Sequence, residues 1–220
     1  MPVSIISAKD AADLIPDGAT VMFGGFMNCG GPKTVVDSLI EAGKKNLTLI
    51  CNDTGLPGVG VAKLIENHMV SSLKATHVGL NPETGRQINA QELEFELIPQ
   101  GTFVERIRAG GAGLGGFLTP SGVGTTVAEG KQVFNILGRD YLLELPLKAE
   151  FAILRGNMAD KAGNIYYRRA TRNFNVAMAT AADTVIAEIE NIVEIGELDP
   201  DMVMTPGIFV DYLVPVGGEK

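Results

Sequence analysis

The segment Gly24-Gly25-Phe26-Met27-Asn28-Cys29-Gly30-Gly31-Pro32 joins an apolar run to a helical pattern, and its residue types suit a ligand. Glycines let a backbone approach a bound group closely. The start of a helix offers N–H donors and a partial positive charge. Together these suit a phosphate, a pyrophosphate or a carboxylate. A tight strand-to-helix turn with no ligand explains the same residues. Lys33-Thr34 lends a likeness to a phosphate-binding P-loop, but Gly31-Pro32 stands where Lys should follow the glycine directly. Cys29 sits where a helix start would activate a thiolate. With neither histidine nearby in sequence, it reads as a small buried thiol instead.

Pro99-Gln100-Gly101 lies between a strand pattern and a helix pattern. A glutamine amide there can donate to a developing oxyanion without titrating; a strand-end residue satisfying backbone groups fits equally well. Gly111 to Gly116 satisfies G-x-G-x-x-G, but it follows a helical pattern over 102–109 rather than a strand. It is therefore expected to be a loop or a packing segment and not a dinucleotide fingerprint. Arg86, Arg106, Arg108, Arg168, Arg169 and Arg172 could meet a phosphate as paired forks, although each reads first as part of a solvated face. The only histidines are His68 and His77, and no G-x-S-x-G occurs, so Ser-His-Asp and zinc chemistry have little support.

These residues need a scaffold. Val21 to Phe23, Leu47 to Cys51 and Leu73 to Val78 read as strands. The patterns after Pro32 and over Val61 to Asn67 read as helices, with Val35, Val36, Leu39 and Ile40 sharing one face of the first and Val61, Leu64 and Ile65 inward in the second. Glu92 to Pro99 alternates, placing Leu93, Phe95 and Leu97 on one side and the glutamates on the other. A helix carrying Phe103, Val104 and Ile107 follows. Strand–helix alternation predicts an open, mostly parallel, doubly wound α/β sheet. Ligands bind such sheets beyond the carboxyl ends of the strands, where the 24–30 loop and the Asn52-Asp53-Thr54-Gly55 loop fall. The later part is richer in β patterns, at Val133 to Ile136, Tyr141 to Leu145, Phe151 to Leu154, Val185 to Ile189 and Phe209 to Val214. One helix is expected at Asn175 to Ala182. A single domain over 1–220 follows.

Composition narrows the function. The chain has 220 residues, of which 45% are hydrophobic and 20% charged, with 27 glycines clustered at a few places. A net charge of −8 argues against a nucleic-acid partner. Two cysteines in no paired motif point to the reducing cytosol. The acidic residues Asp10 and Asp13 and the lack of a long apolar run argue against a signal peptide or a membrane span.

The run from Asp17 to Pro32 resembles the signature carried by the alpha subunits of family I (3-oxoacid) CoA-transferases. The likeness continues through Leu49 to Gly55, Asn81 to Arg86, Pro99 to Thr102, Glu105 to Gly113, Thr119 to Thr125, Lys161 to Asn164 and Ala170 to Asn175. It is nearest to the alpha subunits of acetate/acetoacetate and butyrate–acetoacetate CoA-transferases. The resemblance implies the CoA-transferase fold and a ping-pong mechanism through a glutamyl-CoA thioester. It implies short-chain acyl-CoA and carboxylate substrates, CoA as substrate and no permanently bound cofactor. In this family the glutamate belongs to a beta subunit within a Ser-Glu-Asn-Gly-like motif. That motif is absent here, and Glu194-Ile195-Gly196 does not match it. By resemblance, Gln100 is the oxyanion donor and Asn52 lines the reactive centre. Gly24, Gly25, Phe26, Met27, Asn28, Cys29 and Gly30 form the segment assigned to CoA. A non-catalytic acyl-CoA or anion-binding module of the same fold is the alternative.

Overall fold

The structure is a computed structural model that describes residues 2–217. Its strands are β1 (Ser4–Ile5), β2 (Thr20–Phe23), β3 (Leu47–Cys51), β4 (Val70–Ala75), β5 (Glu94–Leu97), β6 (Phe117–Thr119), β7 (Val133–Ile136), β8 (Arg139–Glu144), β9 (Ala149–Asp160), β10 (Ile165–Tyr166), β11 (Ala182–Val193) and β12 (Tyr212–Pro215). Its α-helices are α1 (Ala8–Leu14), α2 (Thr34–Glu41), α3 (Ala62–Glu66), α4 (Pro82–Asn89), α5 (Gln100–Gly111) and α6 (Asn175–Met178).

Nine strands form one sheet in the order β1-β12-β11-β9-β2-β3-β4-β5, with β10 added antiparallel to β9. Every other pairing in that sheet is parallel. A small antiparallel sheet, β6-β8-β7, stands apart from it. Alternation along β2 divides the core. Val21 and Phe23 pack on one face with residues of α1, α2 and α3, while Met22 packs on the other with residues of α5 and α6. Helices thus cover both faces, as parallel strands buried on both sides require. The α5 and α6 segments meet edge-to-face through Phe103 and Phe174, whose ring centroids are 5.6 Å apart.

Several boundaries differ from the sequence expectation. The third strand is Val70–Ala75 and stops before Val78, because the N–H groups of Thr76 and His77 turn to the carbonyl of Asn52. In β5 the expected alternation fails at its end. Leu97 is 57% exposed and Ile98 is buried, because the chain bends at the sheet edge and the Ile98 N–H bonds back to Ala75. Helix α5 extends through Gly110 and Gly111, so the glycine-rich motif begins inside a helix. An added Cβ on Gly111 would overlap the Thr180 side chain, and one on Gly110 would overlap the Leu147 carbonyl, which makes these packing glycines. Helix α6 ends at Met178, because Ala182 already pairs with Ala149 in the sheet. Phe209 ends a short 3-10 turn, and the last strand starts at Tyr212.

Candidate active site

The loops that follow β2, β3, β4 and β5 meet at the carboxyl end of the sheet. After β2 the chain makes a minimal hairpin: Phe26 and Cys29 exchange both backbone hydrogen bonds, at 3.0 and 2.9 Å. The two residues between them, Met27 and Asn28, have φ of 46° and 65°. This is the left-handed pair that a two-residue turn needs to match strand twist. Met27 holds that conformation while 51% exposed, a strained apolar side chain presented outward.

The glycines around this hairpin answer first to the chain's own packing. A Cβ on Gly24 would overlap Asn175 Oδ1, and one on Gly30 (φ +66°) would lie 2.7 Å from the Thr171 carbonyl oxygen. Two asparagines then tie the hairpin down. Asn173 accepts from the Gly25 N–H at 3.1 Å and donates to the Cys29 carbonyl at 3.0 Å. Asn175 donates to the Gly30 carbonyl at 3.0 Å. Beneath the hairpin lies a cavity of about 20 Å³ lined by Gly24, Gly31, Lys33, Cys51, Asp53 and Val61. That is room for about one water.

The start of α2 is not free for a ligand. The N–H groups of Lys33, Thr34 and Val35 all donate to the carboxylate of Glu188, at 2.9, 2.8 and 3.1 Å to its Oε2. Glu188 is fully buried on β11 and also accepts from Arg155 at 3.2 Å. The anion expected at this helix terminus is therefore a side chain of the same chain. Cys29 is exposed, not buried as expected, because the hairpin turns it outward. The buried cysteine is Cys51, whose thiol is pushed well above its ordinary range by burial and, second, by the nearby Asp53 charge.

Gln100 and Asn52 are brought together across 48 residues of sequence: Gln100 Nε2 donates to Asn52 Oδ1 at 2.8 Å. Gln100 is exposed at the first turn of α5, and Asn52 is 2% exposed. Asn52 Nδ2 donates in turn to Asp53 Oδ2 at 2.7 Å, and the same oxygen accepts from the Met27 N–H at 2.9 Å. One hydrogen-bonded chain thus runs from Gln100 through Asn52 and Asp53 to the tip of the hairpin. Thr76, from the loop after β4, adds its hydroxyl 2.9 Å from Asn52 Oδ1. The 111–116 glycines share no hydrogen bond with this cluster among the described residues.

Of the arginines, Arg86 is clamped between Glu83 and Glu92, Arg106 bonds Glu96, and Arg108 pairs with Glu105. Arg168, Arg169 and Arg172 are exposed next to Thr171, which packs on the hairpin, and they form no ion pair among the described residues.

Sequence reasoning missed Asp53, Thr76, Glu188 and the two asparagines as working parts of this site. One signal was available: a lone glutamate inside the apolar run Val185 to Ile189 must be buried with partners.

The coenzyme A transferase family profile matches residues 5–215. Over 97% of its length the chain is 49% identical to the acetoacetyl-CoA:acetate/butyrate CoA transferase alpha subunit of Clostridium acetobutylicum, covering 98% of that protein. It is 47% identical to the alpha subunit of the acetate CoA-transferase of Escherichia coli, over 97% of each chain. Among solved structures, an acyl-CoA transferase from E. coli O157:H7 in a thioester complex with CoA superposes with a TM-score of 0.88 at 19% identity, a likeness of fold. All of this chain is covered there, but it spans only 48% of that larger chain. The chain therefore belongs to the coenzyme A transferase family.

Proposed function

We propose that this protein is the alpha subunit of a CoA-transferase that moves CoA between a short-chain acyl-CoA and a free carboxylate. Acetoacetyl-CoA, acetyl-CoA and butyryl-CoA are the proposed acyl donors, a class supported by the activities named for the two relatives above. The glutamate nucleophile is supplied by a beta subunit, and the work is done in the cytosol.

The observation that carries this reading is the Gln100–Asn52 pair at 2.8 Å, linked to an exposed hairpin and, among the described residues, lacking a free carboxylate of its own. The acid within the cluster, Asp53, has both oxygens engaged by N–H donors and is 6% exposed. It is in no position to attack a thioester. A half-site of neutral donors needs its nucleophile delivered from elsewhere.

In the proposed reaction a glutamate oxygen of the partner attacks the thioester carbonyl carbon. The C–S bond breaks, CoA leaves as thiolate, and an acyl-glutamyl anhydride remains. The thiolate attacks the glutamyl carbonyl, releasing the first carboxylate and forming a glutamyl-CoA thioester. The incoming carboxylate then takes the CoA through the reverse sequence. Each tetrahedral intermediate carries an oxyanion, and the role proposed for the Gln100 amide is to donate to one. The hairpin at 24–30 and the exposed Arg168, Arg169 and Arg172 are the proposed neighbours of CoA.

The test is reconstitution. The chain should show little or no transferase activity alone and gain it when co-expressed with a beta subunit bearing a Ser-Glu-Asn-Gly-like segment. Assays across a carboxylate series would define the acyl preference. Strong activity from the purified single chain would overturn the proposal, and a complex that binds acyl-CoA without turnover would favour the non-catalytic module.

A further inference from the structure

We infer that Asp53 is a positioning residue that sets the amide polarity of Asn52 and, through it, of Gln100, so that Gln100 presents an N–H and not its oxygen to the reacting centre. This rests on the proposed role of Gln100 as an oxyanion donor.

An amide can be turned end for end with little change in shape, so something must decide which end faces where. Here the decision begins at Asp53. Its Oδ2 accepts from the Met27 N–H at 2.9 Å and its Oδ1 from the Gly55 N–H at 2.9 Å, the environment of a charged carboxylate. A carboxylate only accepts hydrogen bonds. The Asn52 group 2.7 Å from Oδ2 must therefore be its NH2, because an amide oxygen there would face a negative charge at contact distance. The Asn52 oxygen is then forced to the opposite side. It lies 2.8 Å from Gln100 and 2.9 Å from the Thr76 hydroxyl. An oxygen in that place accepts only from the NH2 end of Gln100. One Gln100 N–H is consumed by this bond, and the second has no partner among the described residues. Asn52 is nearly sealed from solvent, so water does not compete for its bonds and the polarity passes on undiluted.

Asp53→Asn weakens the decision while nearly preserving shape: its single amide oxygen can accept from only one of the Met27 and Gly55 N–H groups, and wherever its NH2 takes the place of Oδ2 it turns Asn52 over. In the reconstituted alpha–beta complex, assayed with acetoacetyl-CoA and acetate, Asp53→Asn is expected to lower kcat by roughly 10- to 100-fold, the cost of a misplaced group, with KM for acetoacetyl-CoA within about twofold. Placed on Gln100→Ala, it is expected to lower kcat no further, because both changes remove one function. The Gln100 side-chain NH2, followed by 15N NMR in the same complex, should give two well-separated, slowly exchanging protons that converge in Asp53→Asn. A Gln100→Ala enzyme with unchanged kcat would sink the oxyanion-donor reading; the NMR signature alone would then decide the polarity claim. If Gln100→Ala is impaired while Asp53→Asn leaves kcat and the amide signals unchanged, the inference fails and the reading of Gln100 stands. A double variant much slower than Gln100→Ala alone would mean that Asp53 acts by another route, and would also overturn it.

Discussion

Glu188 Oε2 lies 2.8 Å from the backbone nitrogen of Thr34, although 154 residues separate them. This contact joins β11 to the amino end of α2 and fixes the exit of the glycine hairpin. Helix α2 has no side-chain cap of its own from Lys33, so the distant carboxylate does the work of one. Glu188→Ala would strand three backbone N–H groups and free one bond of Arg155, which keeps its second partner, Glu190. A loss of about 3–5 kcal/mol is expected in urea unfolding. Glu188→Gln, which retains an acceptor, should lose less than half of that.

Two glycines with different surroundings should respond oppositely to alanine. Gly30→Ala introduces a Cβ 2.7 Å from the Thr171 carbonyl at a φ of +66°, and it is expected to cost about 1–3 kcal/mol. Gly85 lies inside α4 with nothing within 4 Å of an added Cβ. Gly85→Ala should stabilise by about 0.5–1 kcal/mol. Thermal unfolding of both variants checks the contrast.

For Gln100→Ala in the alpha–beta complex, kcat is expected to fall roughly 10²–10³-fold, the usual loss on removing one oxyanion donor. Steady-state kinetics with acetoacetyl-CoA and acetate measures it. The fold should be unaffected, since Gln100 is exposed.

Tyr167 supplies an alkaline signature. Burial pushes its hydroxyl up to about 12 from an ordinary 10.0, against a smaller opposing effect of its hydrogen bond to Thr205. The raised value means the folded state holds the proton more tightly than the unfolded chain. The associated stability is complete below pH 10 and is lost as pH rises towards about 12. Tyr167→Phe should flatten that part of the Tm–pH curve, and ultraviolet absorbance should show a tyrosine ionising near 12 that disappears in the same variant.

Glu83 gives the acidic counterpart. Hydrogen bonds from Arg86 and then Gln87 hold its carboxyl down to about 2, from an ordinary 4.5. A lowered folded value means stability that is present above pH 4.5 and lost as pH falls towards about 2. Glu83→Gln should make Tm less sensitive to pH across that window. A carboxyl titration by NMR gives the folded value directly.

Much of this architecture is written locally in the chain. The apolar runs at Val21 to Phe23 and Leu47 to Cys51 are strands whose burial on both faces needs no distant information. The inward residues Val35, Val36 and Leu39 of α2 follow from helical spacing alone. Asn52 and Gln100 are nominated by the family resemblance, and both stand just after strand patterns, where residues of a parallel sheet converge at one edge. Their bond depends on β3, β4 and β5 standing side by side, which the sequence does not state.

What fills the amino end of α2 was decided only by the fold. Glycines and a helix start read as an anion site, and they are one, but the anion arrives on β11. The register that sets Glu188 opposite Arg155 carries the carboxylate there. The same holds for the hairpin, whose glycines make room for Asn173 and Asn175. Local patterns record which backbone groups are left unsatisfied at an element's end. Which side chain satisfies them depends on strand order and register, and those are settled by packing across the whole sheet.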